Sequence, residues 1–394
     1  MKGNEEVATN PRRNIFALGF ASFFTDMSSE MAFSILPTFL LSLPGASIAI
    51  LGFIEGTAEA LGYVLRSVSG IFSDKFRRRK LFVLAGYGVS NAVKPLFAIA
   101  RAPLDVFVIR VTDRVGKAVR TPPRDALLSE SVSDKRRGAA FGLHRALDQT
   151  GAIVGPVIAT TAMLILGFTI REVFWLSLIP GAIALLILLF VVKERLSKAD
   201  GEFHLLVGIK AILKGNFSWL LVIVGIFSLG AFNFSFILLN AQEAGIADSF
   251  IPLVYAAVNV AHVAVAIPGG VLSDRVGKEK VMILGYGTFL SSVMLILFLP
   301  LSGFSAFLVA VFYGAYFGII ETVQRALVPE YVDRNLVGTA YGIYYLVVGS
   351  AFFVSNAVVG SLWEYFGASI ASTYSIVTSV VAIAFMILFL YKKR

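Results

Sequence analysis

Gly270-Val-Leu-Ser-Asp274-Arg275-Val-Gly277-Lys-Glu-Lys280 has a counterpart in the first half of the chain. There, Gly70-Ile-Phe-Ser-Asp74-Lys75 stands 200 positions earlier, and Lys80 matches Lys280. The same offset pairs Ala126-Leu127, Glu130, Gly138, Ala140 and Gly142 with Ala326-Leu327, Glu330, Gly338, Ala340 and Gly342. One offset held this long marks an internal duplication. The chain reads as two related halves in the same orientation, an arrangement that places a substrate path between them.

Each copy lies between long apolar runs. The 394 residues are 57% hydrophobic and only 15% charged, whereas soluble domains carry about 25% charged residues. A helix needs roughly 20 apolar residues to cross a bilayer. Runs bounded by Gly, Pro and charge clusters give spans at 13–41, 48–72, 81–99, 104–126, 139–166, 172–192, 217–242, 249–272, 281–299, 304–328, 339–366 and 370–391. The expected fold is an all-α integral membrane protein of twelve transmembrane helices in two pseudo-symmetric six-helix bundles. Residues 1–192 form the first bundle, 193–216 a linker and 217–394 the second bundle. Within the linker, 204–214 is amphipathic and is expected along the cytoplasmic interface. Pro122-Pro123 is expected to break the fourth span.

The positions of the basic residues give an orientation. Twenty-three lysines and arginines fall in the connections of one face, against Arg101 and Arg171 on the other. The positive-inside rule puts that face, with both termini, in the cytoplasm. The net charge of +9 is therefore a topology signal, and no nucleic-acid partner is expected. There is no cysteine, and His144, His204 and His262 are the only histidines. HExxH and GxxxxGK[ST] are both missing, so zinc-peptidase and P-loop chemistry lack their residues. No enzyme activity, cofactor or metal is expected.

The quoted segment resembles the helix 2–3 loop signature of the major facilitator superfamily, G-x-x-x-D-[RK]-x-G-x-x-[RK]. Gly270, Asp274, Arg275, Gly277 and Lys280 match it. The first copy matches at Gly70, Asp74 and Lys75, with Arg78, Arg79 and Lys80 following, but Arg77 replaces its glycine. Asp26-Met-Ser-Ser-Glu30-Met31 and the run from Asp113 through Lys117 and Arg120 to Arg124-Asp125 resemble a poorly characterised prokaryotic subgroup. The resemblance covers essentially the whole chain. It implies a rocking two-bundle uniporter, symporter or antiporter in the cell membrane. It also implies a cytoplasmic gate in which Asp74 and Asp274 cap or pair across helix ends. By their depth, Arg120, Arg124, Asp125 and Glu130 are expected to form a cytoplasmic latch with Asp74.

Ionisable groups at membrane depth are costly and mark pathways or paired networks. Here they crowd the first half: Asp26 and Glu30, then Glu55, Glu59 and Arg66, Lys94, Arg110, Asp113, Arg114, Lys117 and Arg120, and His144, Arg145 and Asp148. Helical spacing puts 110, 113, 117, 120 and 124 on one stripe. The second half offers Glu321, Arg325 and His262 within spans, beside Asn233, Asn259 and many aromatics. The expected substrate and proton cavity is Asp26, Glu30, Glu59, Arg110, Asp113, Arg114, Lys117, His144, Arg145 and Asp148, walled by Asn233, Asn259 and His262. Carboxylates between burial and fixed arginines suit reversible protonation. Asp26, Glu30 or Asp148 is the expected carrier, with Arg114 or Arg145 as partner.

The leading expectation is a secondary transporter of a small solute, proton-coupled and working by alternating access as a monomer among membrane lipids. Two alternatives remain. One is a metal or metal-chelate carrier using Asp26, Glu30, Met27, Met31, His144 and Asp148. The other is a transport-inactive sensor or scaffold.

Overall fold

The computed structural model describes residues 11–76, 79–131, 137–193, 213, 215–332 and 336–393. The side chains of 11–12, 66–76, 130, 137–139, 325 and 393 fall outside the description. So do His204 and nearly all of the amphipathic linker, together with Arg78 and the surroundings of Gly70 and Asp74.

The described helices line up as twelve rods. In the first half they are α1 (Pro11–Phe33, continued by Leu36–Leu41), α2 (Ile48–Phe76), α3 (Arg79–Val93, running into a tighter turn at Lys94–Ile99), α4 (Pro103–Glu130), α5 (Arg137–Ile165) and α6 (Ile170–Leu176 and Leu178–Phe190). In the second half they are α7 (Asn216–Ser228 and Ser235–Glu243), α8 (Ile251–Val276), α9 (Lys278–Phe298), α10 (Gly303–Leu327), α11 (Val337–Phe366) and α12 (Ala368–Lys393). By length and hydropathy alone, eight stretches among the described residues qualify as membrane spans. These leave out α1, α4 and α5, which carry most of the buried charge, and α7, which is split at 229–234. The chain has the all-α, two-bundle fold that the duplication implies.

The packing repeats as the sequence does. In the first bundle α1 packs on α5 and α6, and α4 packs on α2 and α3. In the second, α7 packs on α11 and α12, and α10 packs on α8 and α9. Two seams join the bundles: α2 along α11, and α5 along α8.

Small residues set how closely the rods approach. A Cβ on Gly151 would stand 2.2 Å from the Phe23 carbonyl oxygen, and one on Gly155 would stand 2.5 Å from that of Met27. These two glycines let α5 lie directly on the α1 backbone, as small residues do between membrane helices. Across the α2–α11 seam, a Cβ on Gly52 would stand 2.2 Å from the Asn356 carbonyl oxygen. Near that end of the seam the Ile48 amide donates to Glu364 at 2.7 Å.

Two local expectations are corrected. Pro122 and Pro123 do not end α4, which continues to Glu130. Each proline removes one backbone donor, and packed neighbours commonly absorb such losses in membrane helices. The seventh span is not one continuous helix. At its break the Asn233 amide donates to the Asn356 side chain at 2.9 Å, a partner 123 residues away.

Candidate functional site

A cavity of about 280 Å³ lies between the bundles. Its lining reaches Asp125, Gln324 and Tyr341 near the helix ends that carry the basic connections. Toward the opposite face, the lining among the described residues stops at Phe33, Asn233, Tyr255 and Tyr313. The cavity thus runs from mid-membrane to the basic face, while the Gly52 and Ile48 contacts close the far end of the α2–α11 seam.

Ten of the thirteen residues expected in the cavity line it: Asp26, Glu30, Glu59, Arg114, Lys117, Arg145, Asp148, Asn233, Asn259 and His262. Arg120 and Arg124, expected in the gate, line it too. Arg110, Asp113 and His144 stand outside the lining.

Arg110 is fully buried on the far half of α4. Its guanidinium forks onto the Glu55 carboxylate of α2 at 2.9 and 2.7 Å and lies over the Phe33 ring at 4.0 Å. Asp113 accepts from Ser90 at 2.5 Å and lies 3.8 Å from Arg110. Lys94 is equally buried, donating to Ser29 and Asn91, each at 2.8 Å. This far-side group is a buried charge network tying α1, α2, α3 and α4. Charge stripe 110–124 is continuous along the helix, but only its lower part faces open space.

At the cavity wall the carboxyl groups of Asp26 and Asp148 are neighbours, facing each other from α1 and α5. Ser22 donates to the same Asp148 carboxylate. Arg145 pairs with Asp148 at 3.2 Å and reaches across the cavity to Glu321 of α10 at 2.7 Å. Glu321 also sits 3.3 Å from His262 Nε2 of α8. One polar chain therefore runs Asp26–Asp148–Arg145–Glu321–His262 from the first bundle to the second. The sequence marks Glu321 as an ionisable residue within a span without placing it in the site. Its spacing to His262 carries no helical signal, because the two lie on different rods.

Two other cavity arginines are paired with carboxylates. Arg114 pairs with Glu59 at 2.6 Å, and Arg124 pairs with Asp125 at 2.8 Å. Glu30 faces the Tyr255 hydroxyl of the second bundle, and Tyr255 stacks on Phe234 at 4.3 Å. Asn259 donates to the Ala152 carbonyl at 3.1 Å, closing the α5–α8 seam. Arg120 lies over the Tyr87 ring at 4.1 Å, with Asp26 at 3.9 Å.

The second gate copy is described. Gly277, at φ 101°, makes the turn between α8 and α9. Gly270 packs on Thr322. Asp274 is 76% exposed and lies 3.9 Å from Lys278, which bonds Glu330 from the α10–α11 connection. Arg275 is exposed in the last turn of α8. Arg79 opens α3 in the first copy.

The metal-carrier alternative needs His144 beside Asp26, Glu30 and Asp148. His144 stands off the cavity lining, and among the described residues no three His, Asp or Glu are grouped to hold an ion.

Two six-helix bundles around a charged central cavity define a multi-pass membrane transporter. The chain belongs to the Major Facilitator Superfamily, whose model matches residues 18–242 and 218–394. It is 34% identical to an uncharacterized MFS-type transporter of Methanocaldococcus jannaschii over 88% of each chain. It is 29% identical to an uncharacterized protein of Mycobacterium tuberculosis over 87% of this chain and 84% of that one. In structure it is similar to a single-residue mutant of the nucleoside transporter NupG, with a TM-score of 0.81 at 12% identity over 96% of this chain and 99% of that one. A peptide transporter POT in complex with sulfate gives 0.77 at 15% identity, over 96% and 94%. These structural likenesses speak for the fold alone.

Proposed function

We propose that this protein is a proton-coupled secondary transporter of a small solute, working by alternating access in the cytoplasmic membrane, with no chemical transformation of its cargo. Its two units are residues 1–192 and 217–394, rocking as bundles about the α2–α11 and α5–α8 seams, and the protein works as a monomer. The basic face and both termini are cytoplasmic, following the distribution of Lys and Arg, so the cavity is open inward.

The observation that carries this reading is the pair of neighbouring carboxyls, Asp26 and Asp148, at the cavity wall, tied through Arg145 to Glu321 of the other bundle. Rocking separates or rejoins Arg145 and Glu321. Each change alters the charge facing Asp148, and so the ease with which the pair gives up its proton. Differential interaction of this kind is what lets a proton and a solute bias one conformational equilibrium.

The test is a solute panel applied to proteoliposomes while solute uptake and internal pH are recorded. Responses that grow with an imposed pH gradient support the proposal. Solute flux that ignores the gradient would remove the coupling, and a protein that binds solute without flux would return the sensor reading.

A further inference from the structure

We infer that the cavity takes a small organic anion with a flat apolar body: Lys117 and Arg120 hold the acidic group, the aromatic wall of the second bundle holds the body, and a proton is taken up with it. The inference rests on the cavity being the transport site.

The first ground is how the cations are used. Arg114, Arg124 and Arg145 are each spent on a carboxylate within 3.2 Å. Lys117 lines the cavity with no ion pair to a carboxylate among the described residues. Arg120 is 2% exposed, its nearest carboxylate oxygen is 3.9 Å away, and its Nε and Nη1 have no partner. The acids nearest these two are Asp26 and Glu30. Asp26 also faces Asp148, and Glu30 faces the Tyr255 hydroxyl. One turn of α4 thus carries two cations without a close carboxylate partner, and an incoming anion completes that arrangement.

The second ground is the facing wall. Tyr255 and Phe234 stack at 4.3 Å, and Tyr313 and Tyr316 meet edge to face at 5.6 Å. All four line the cavity. Such rings offer flat apolar surface, and the cavity volume sits near the lower end of ligand pockets, about 300 Å³. The fitting molecule is small and flat, with charge at one end.

The proton follows from position. The charged groups facing Asp26 are Asp148 from α5, Lys117 and Arg120 from α4, Lys94 from α3, and Glu30 on its own helix. An anion seated on Lys117 adds negative charge beside Asp26 and favours a proton on it. Solute and proton then occupy the cavity together, and the net charge moved is smaller than that of the anion alone.

The experiment is thermal unfolding of the purified full chain with aryl carboxylates, sulfonates and phosphates, beside their neutral amides and aryl trimethylammonium ions. Proton uptake is recorded in weakly buffered solution. Ligands stabilise the state they bind, so one or more anions should raise the midpoint while amides and ammonium ions do not. Lys117→Gln should weaken the apparent affinity by at least about tenfold, as removal of one buried charge partner does, and Lys117→Arg should restore most of it. Anion binding should take up protons, and Asp26→Asn should lose that uptake. Equal stabilisation by amides or ammonium ions, wild-type affinity in Lys117→Gln, or no stabilisation by any anion of the panel would overturn the inference. Anion binding without flux would count against the transport reading and leave this one standing.

Discussion

Arg145 of α5 bonds Glu321 of α10 at 2.7 Å while holding Asp148 of its own helix at 3.2 Å. One guanidinium therefore links the carboxyl pair of the first bundle to the second bundle. Because the Arg145 side chain is 45% exposed, solvent screens the tie, and it is worth at most about 1 kcal/mol.

That value is enough to shift a balanced two-state equilibrium. Glu321→Gln should lower the inward-open population by up to about fivefold. The chain has no cysteine, so a pair of cysteines introduced on the basic face reports closure without background. Faster cross-linking in Glu321→Gln is expected, and unchanged cross-linking would mean the ion pair does not hold the open state.

The α2–α11 seam predicts a shift in the same direction for a steric reason. A methyl at Gly52 would meet the Asn356 carbonyl oxygen at 2.2 Å and Gly360 Cα at 3.1 Å. Overpacking of this kind costs about 1–3 kcal/mol, and moving the far ends apart relieves it. Gly52→Ala should raise labelling of a cysteine at Tyr313 by an impermeant reagent added from the opposite face. Labelling at the wild-type rate would show that the seam is not the barrier.

The Arg110–Glu55 pair should behave as structure, apart from transport. Removing Glu55 alone leaves a buried guanidinium and should cost about 3–5 kcal/mol, seen as a lower unfolding midpoint and lower yield. The double variant Glu55→Leu with Arg110→Met should recover most of that loss. A single variant as stable as the wild type would show that Arg110 is solvated or paired elsewhere.

Much of this was legible in the sequence, because duplication and hydropathy are properties of segments. The offset between Gly70 and Gly270 implied paired bundles, and the packing of α3 on α4 recurs as α9 on α10. Helical spacing also placed Arg110, Asp113, Lys117 and Arg120 on one stripe. Spacing cannot tell how deep the open space reaches. Glu55 of α2 covers the far part of the stripe, so Arg110 and Asp113 are walled off while Lys117 and Arg120 are not. The break in α7 was hidden for a similar reason: the acceptor for the Asn233 amide is on Asn356, another rod. Glu321 acquires its place only through Arg145 and His262, neither of which is near it in sequence.

The central claim is that the carboxyl pair carries the coupled proton. Asp26→Asn and Asp148→Asn, reconstituted separately, should keep solute exchange between two pools of equal pH and lose the response to an imposed pH gradient. The most direct measurement is therefore solute uptake into proteoliposomes, with and without that gradient, for the wild type and both variants. Wild-type uptake that rises with the gradient, beside variant uptake that does not, is the predicted result. A gradient response that survives in both variants would place the proton elsewhere and contradict the account.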